Sequence, residues 1–287
     1  MKHVLLATTA LAMSAGFASA DVSLSGKANA GTSSSNNVTT TSSGIDLNVS
    51  ASMTTDAGVT LTVADDFGGG SLLDWNDDYR VEAQGSDLDQ PSVTVAMGNV
   101  TLTVDPGEVS DLYDDSQTGD VQISTSMAGF TIDYVASSDT DVNTNSYKLG
   151  YAMGDLSFSV IGTTRGDAAA GAVPAENEAM KWSASYAMGD ITLGLAMNNN
   201  GDNDDITTGS VKYAMGNGLS VSMSADDNDD WDASVSWSAG AVSVSYSTDE
   251  NSAYEAHATY DLGGGAKVFA ATTDANDFTA FGVEFTF

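Results

Sequence analysis

The stretch Phe281-Gly-Val283-Glu-Phe285-Thr-Phe287 puts every large apolar side chain on an odd position and ends on an aromatic residue. Successive side chains of a strand point to opposite faces, so this period of two builds a strand with one apolar and one polar face. Chain ends are ordinarily polar and frayed. An apolar final strand instead predicts an all-β fold, a transmembrane antiparallel β-barrel in which the last strand closes against the first and leaves no open edge to lipid.

The other end of the chain agrees. Met1-Lys2-His3 is a short basic start, residues 4–17 are apolar and small, and Ala18-Ser19-Ala20 fits a small-x-small cleavage site. This pattern predicts a secretory signal peptide over residues 1–20 and an outer-membrane barrel over 21–287. The apolar run is too short to span a bilayer as a helix, and no later run approaches the roughly 20 residues that a membrane helix requires. The absence of cysteine suits passage through an oxidising compartment. Three prolines, 29 glycines and a mean hydropathy of −0.10 fit strands that face lipid on one side and water on the other.

The motif Tyr151-Ala-Met153-Gly-Asp155 recurs as Tyr186-Ala-Met188-Gly-Asp190 and Tyr213-Ala-Met215-Gly-Asn217, with Val95-Ala-Met97-Gly-Asn99 a variant. The unequal spacing excludes a solenoid and marks hairpin tips, where Gly-Asp and Gly-Asn supply a positive φ. Asp56-Ala-Gly58, Met127-Ala-Gly129, Ser238-Ala-Gly240 and Leu262-Gly-Gly-Gly265 read the same way. Eight short turns with both termini on the periplasmic side predict 18 strands. The first two are expected over residues 21–30 and 44–55. Longer acidic connections over 65–90, 164–178 and 198–205 are expected on the extracellular side.

Alternation assigns the faces. Trp182, Ala184 and Tyr186 share an apolar face, and Lys181, Ser183 and Ser185 a polar one. Lys27, Lys148, Lys212 and Lys267 fall in polar registers, which predicts a water-filled lumen. Tyr151, Tyr186 and Tyr213 precede their turns at one height, as an interfacial aromatic belt would. The formal charge of −32 concentrates cations at the mouth and argues against nucleic acid as a partner. His257 is the one histidine after residue 20, and no nucleophile elbow or zinc-binding helix motif accompanies it, so no enzyme is expected. Asp226, Asp227, Asp229 and Asp230 are weak candidates for Ca²⁺, in a loop that lacks the glycine and glutamate of an EF-hand.

The chain resembles the general diffusion porins of Gram-negative bacteria, particularly those of alphaproteobacteria. The residues that carry the likeness are Val4-Leu-Leu-Ala-Thr-Thr-Ala-Leu11, Asp21-Val-Ser-Leu-Ser-Gly26, Tyr260-Asp-Leu-Gly-Gly-Gly-Ala266 and Phe287. The resemblance implies a 16-stranded homotrimeric barrel, so the expected strand number is 16 to 18. It implies a passive channel for small hydrophilic solutes and ions, set in outer-membrane lipid and lipopolysaccharide. It implies that the segment 105–119, after the fifth strand, folds into the barrel, with Asp105, Glu108, Asp111, Asp114 and Asp115 forming an acidic constriction. Facing them, Lys27, Lys148 and Lys181 are the expected basic wall, since Arg80 and Arg165 read as loop residues. Phe285 and Phe287 are the expected closure and signal for the barrel-assembly machinery. Segment 65–90 is a candidate contact between subunits. A cation-preferring pore follows from this charge balance, with a solute-specific porin or a non-channel structural or adhesive barrel as alternatives.

Overall fold

The computed structural model describes residues 20–86, 90–114, 117–138, 145–164, 179–199 and 205–287. The described strands are β1 (Asp21–Ser35), β2 (Val38–Thr54), β3 (Val59–Asp74), β4 (Arg80–Ala83), β5 (Ser92–Met97), β6 (Val100–Ser110), β7 (Thr118–Met127), β8 (Phe130–Ala136), β9 (Asn145–Met153) and β10 (Leu156–Thr163). They continue with β11 (Ala179–Met188), β12 (Ile191–Asn199), β13 (Ile206–Ala214), β14 (Leu219–Asp226), β15 (Trp231–Ala239), β16 (Val242–Asp249), β17 (Tyr254–Gly263), β18 (Ala266–Thr273) and β19 (Phe278–Thr286).

Each strand except β4 pairs antiparallel with a neighbour on either side, and β1 pairs with both β2 and β19. Eighteen strands therefore close a ring, and β4 pairs only with the last four residues of β3. The strand number is the one given by the eight turns, and the sixteen implied by resemblance is corrected. All eight turns contain a glycine with positive φ, from Gly58 to Gly263, although in the turn after β13 it is Gly218 and not the motif's Gly216. The final residue completes the closure: Phe287 exchanges backbone hydrogen bonds with Gly26 at 2.9 and 3.1 Å.

The outer face carries the expected apolar band. Phe281, Val283, Phe285 and Phe287 are 62, 49, 39 and 39% exposed, whereas Ala280 and Glu284 on the opposite face are buried. This inversion of the soluble-protein rule is what a barrel in lipid requires. Tyr186 and Tyr213 are likewise exposed on the outer face, beside their turns.

Two expectations about loops are corrected. Residues 31–43 do not form a long connection: β1 and β2 continue to a two-residue turn at Asn36 and Asn37, whose φ values of 49° and 65° fit the type I′ geometry that matches strand twist. Segment 65–90 is not one long external connection. Its first ten residues extend β3, and the β3–β4 hairpin turns inward against the lumen wall, where Leu73 and Trp75 pack with Phe269, Ala271, Phe278 and Ala280. The signal peptide, apart from Ala20, and the connections 165–178 and 200–204 lie outside the described residues, as do Asp115 and Arg165.

Candidate functional site

The strand registers place Ser, Thr and Lys on the lumen side. Across the gaps between strands these hydroxyls bond one another: Ser23 with Ser50 at 2.7 Å, Thr54 with Thr60 at 2.9 Å, Ser157 with Ser185 at 2.7 Å, Ser159 with Ser183 at 2.9 Å and Ser222 with Ser234 at 2.6 Å. Each hydroxyl keeps spare donor or acceptor capacity, so the wall can bond water without offering a charge. Lys27, Lys148, Lys181, Lys212 and Lys267 all share this face, opposite Asp46, Asp133, Asn198, Ser222 and Glu284 respectively.

Two segments cover parts of this wall. The first is the β3–β4 hairpin, which reaches β1 and β17–β19. Asn29 clasps it at mid-height: the side-chain amide donates to the Leu73 carbonyl, and its oxygen accepts from the Leu73 amide, both at 2.9 Å. One side chain thus replaces a strand neighbour and satisfies both backbone groups of a buried residue. The Trp75 indole stacks on Phe269 with centroids 4.7 Å apart and donates its Nε1 proton to Glu284 at 3.2 Å. Glu284 also pairs with Lys267 at 2.8 Å. Tyr79 lies against Phe278, and its hydroxyl meets His257 Nε2 at 3.1 Å. Burial against the wall, reinforced by the Glu255 carboxylate, pushes the Tyr79 phenol well above its ordinary value.

The wall is shaped to receive this hairpin. A Cβ added at lumen-facing Gly44 would stand 2.5 Å from the Ser71 carbonyl carbon, so no other residue leaves room for the hairpin backbone. Gly70, at φ +74°, supplies the bend. Beyond the bend, Asp74, Asp77, Asp78 and Glu82 accompany a single cation, Arg80. Carboxylate oxygens of Asp74, Asp78 and Glu82 lie within 4.8 Å of one another, and the Arg80 guanidinium contacts Asp78 at 2.5 Å and Glu82 at 2.8 Å.

The second segment begins inside β6, which runs six residues beyond the strand end expected at residue 104, and continues into the turn after it. A bulge leaves residues 105–108 without partners on β7, and Asp120 accepts the Gly107 amide at 2.8 Å. Asp105 and Glu108 join Asn48, Asp65, Asp66 and Gln90 around a cavity of about 630 Å³. Asp111 does not join them: it is buried and accepts the amides of Tyr113 and Asp114 at 2.8 and 3.0 Å, holding its own turn. Asp114 accepts from Gln117 at 2.7 Å. The tip docks on the far wall through polar bonds, with Tyr113 Oη donating to Asn198 at 2.9 Å and the Leu112 amide to Ser146 at 2.9 Å.

The basic wall is also divided. Lys181 donates to the Tyr113 carbonyl at 2.6 Å and lies over its ring at 4.0 Å, so it fastens the loop instead of facing a carboxylate. Among the described residues, no ion pair joins Lys27, Lys148 or Lys181 to the 105–114 carboxylates. The Ca²⁺ candidates do not converge. Asp226 is occupied by the amides of Asn228 and Asp230, and Asp227 by that of Thr207. Crowding by Glu250 first, and by neighbouring aspartates, pushes the Asp230 carboxyl up.

A closed ring of 18 strands with hydroxyls inside and apolar side chains outside is the geometry of a membrane channel. The family model for Gram-negative porins matches residues 7–277. The chain belongs to the Gram-negative porin family. Solved structures share the fold. A triple mutant of the Rhodopseudomonas blastica porin aligns with TM-score 0.56 at 17% identity, covering 93% of this chain and all of that one. A porin structure refined at 1.8 Å aligns with TM-score 0.55 at 14% identity, with the same coverage of each chain. No curated protein matches by sequence. The porin is thus an outer-membrane channel that crosses the bilayer many times with strands.

Sequence reasoning missed the hairpin insert, yet its signal is present. Phe269, Ala271, Phe278 and Ala280 occupy lumen-facing registers that are polar on other strands, and Leu72, Leu73 and Trp75 interrupt an acidic loop. Apolar residues on a face meant for water mark a wall that something covers.

Proposed function

We propose that this porin is a passive diffusion channel for small hydrophilic solutes and that it prefers cations. The observation that carries this reading is the lumen itself: a hydroxyl-lined wall with Asp66, Asp105 and Glu108 around a cavity beside it, in a chain with 40 acidic and eight basic residues. A hydroxyl surface substitutes for part of a solute's hydration without holding it, and a negative mouth raises the local concentration of cations. Asp105 and Glu108 are the members of the acidic constriction that face open space. Asp111 and Asp114 shape the loop that carries them.

In this reading residues 1–20 are removed on export, the barrel-assembly machinery recognises the terminal Phe285 and Phe287, and the mature chain forms homotrimers among outer-membrane lipid and lipopolysaccharide. Calcium, where present, bridges acidic loops from outside and is not a cofactor. Reversal potentials in planar bilayers under a salt gradient test the central claim. A potential of the sign set by cation flow is expected, and a chloride-selective pore overturns it.

A further inference from the structure

We propose that the β3–β4 hairpin, more than the bulged end of β6 and the turn that follows it, sets the bore and charge preference of the channel. This inference rests on the reading of the chain as a cation-preferring pore.

Three features of the molecule lead to it. The first is position. Trp75 meets Glu284, and Leu73 meets Asn29, which pairs across strands with Glu284, so the hairpin reaches the middle of the barrel and not merely its rim. The second is the seat. The Leu73 and Trp75 side chains are 1 and 6% exposed, and Phe269 and Phe278 beneath them are each 1% exposed, in a lumen whose other strands offer hydroxyls to water. An insert held by stacked rings and by a glycine at its closest approach is a fixed part of the wall. The third is cargo. The hairpin brings Asp74, Asp77, Asp78 and Glu82 into the lumen with Arg80 as the accompanying cation, and Asp77 and Asp78 are exposed there. In the segment after β6, by contrast, Asp111 is buried and committed to its own turn.

A carboxylate in a narrow, low-dielectric passage acts on a passing ion more strongly than one at a wide mouth, because the field is focused and less screened. The hairpin leaves the serine faces of β14–β16 as open wall, with Ser222, Ser234 and Ser247 in line across neighbouring strands and Lys212 of β13 at the end of that line. Ions therefore pass between the acidic hairpin on one side and these hydroxyls on the other.

The test compares two full-length variants in planar bilayers. One neutralises the hairpin (D74N, D77N, D78N and E82Q together, with Arg80 kept), and the other neutralises the bulged end of β6 (D105N with E108Q). The hairpin variant is expected to lower the cation-to-anion permeability ratio by about threefold, the change that roughly half a kT of potential produces because it acts oppositely on the two signs, and the second variant by less. An equal or reversed order overturns the inference. Because the chain has no cysteine, D77C provides an independent measurement that keeps the hairpin's geometry. A positively charged thiol reagent is expected to lower its conductance and cation preference, and an unchanged conductance after complete labelling also overturns the inference. If the wild-type protein gives no channels, or chloride-selective ones, the underlying reading fails. If it conducts cations and only the variants are silent, this inference alone fails.

Discussion

The two segments that enter the lumen are held in opposite ways. The β3–β4 hairpin sits on an apolar bed of Phe269, Ala271, Phe278 and Ala280, with polar bonds at its margin. The loop after β6 sits on polar partners, Ser146, Lys181 and Asn198, and buries little besides Tyr113, Asp111 and Val109. Removing apolar area from water is non-directional and little affected by salt, whereas bonds from Lys181 and Tyr113 compete with water and depend on angle. The hairpin is therefore the stiffer insert and the loop the more adjustable one.

Removing the centre of the apolar bed is the strongest way to break this contrast. Trp75→Ala deletes the stack on Phe269 and the bond to Glu284, and a loss of about 3–5 kcal/mol is expected for a buried aromatic of this kind. Much of it should appear as release of the hairpin, read as a rise in single-channel conductance while the heat-modifiable mobility of the barrel on gels persists. A conductance equal to wild type would mean that the hairpin keeps its place without its anchor. Asn29→Ala is the next largest change. It strands the amide and carbonyl of Leu73, and roughly 1–3 kcal/mol is expected for leaving such groups unpaired. Faster hydrogen exchange at Leu73, with little change at the β1–β19 seam, is the signature that separates loss of the clasp from loss of the barrel. On the other insert, Tyr113→Phe removes the hydroxyl that donates to Asn198 and, at 3.4 Å, to the Asn199 carbonyl, a loss of about 0.5–1.5 kcal/mol. Increased current noise at nearly constant mean conductance is expected, and a large fall in barrel stability would show that the loop, too, is a structural part of the wall.

Much of the barrel was legible in the chain. Period-two patterning gave the faces of β11 and β19, and eight glycine-containing turns gave 18 strands where a family resemblance implied 16. The positions of the five lumen lysines followed from the same alternation. What alternation missed were the ends of β1 and β2, because a run of Ser and Thr over residues 32–43 carries no apolar period and reads as loop until its partner strand is seen. The constriction was harder still. Asp111 and Lys181 have the chemistry of an eyelet, but one caps its own turn and the other holds a backbone carbonyl.

Strand faces and turns depend on residues within a hairpin of one another, so the sequence by itself determined them: a local period is enough to decide which side of a sheet meets lipid. Phe287 bonds to Gly26 because both lie on the edges that such a sheet must join. Which loop enters the lumen depends on pairs far apart in the chain, Trp75 with Glu284 across 209 positions and Asn29 with Leu73 across 44. No period links such residues. Their complementarity of shape and hydrogen bonding exists only once the ring has closed and set the distance across it, and that was left to the tertiary structure.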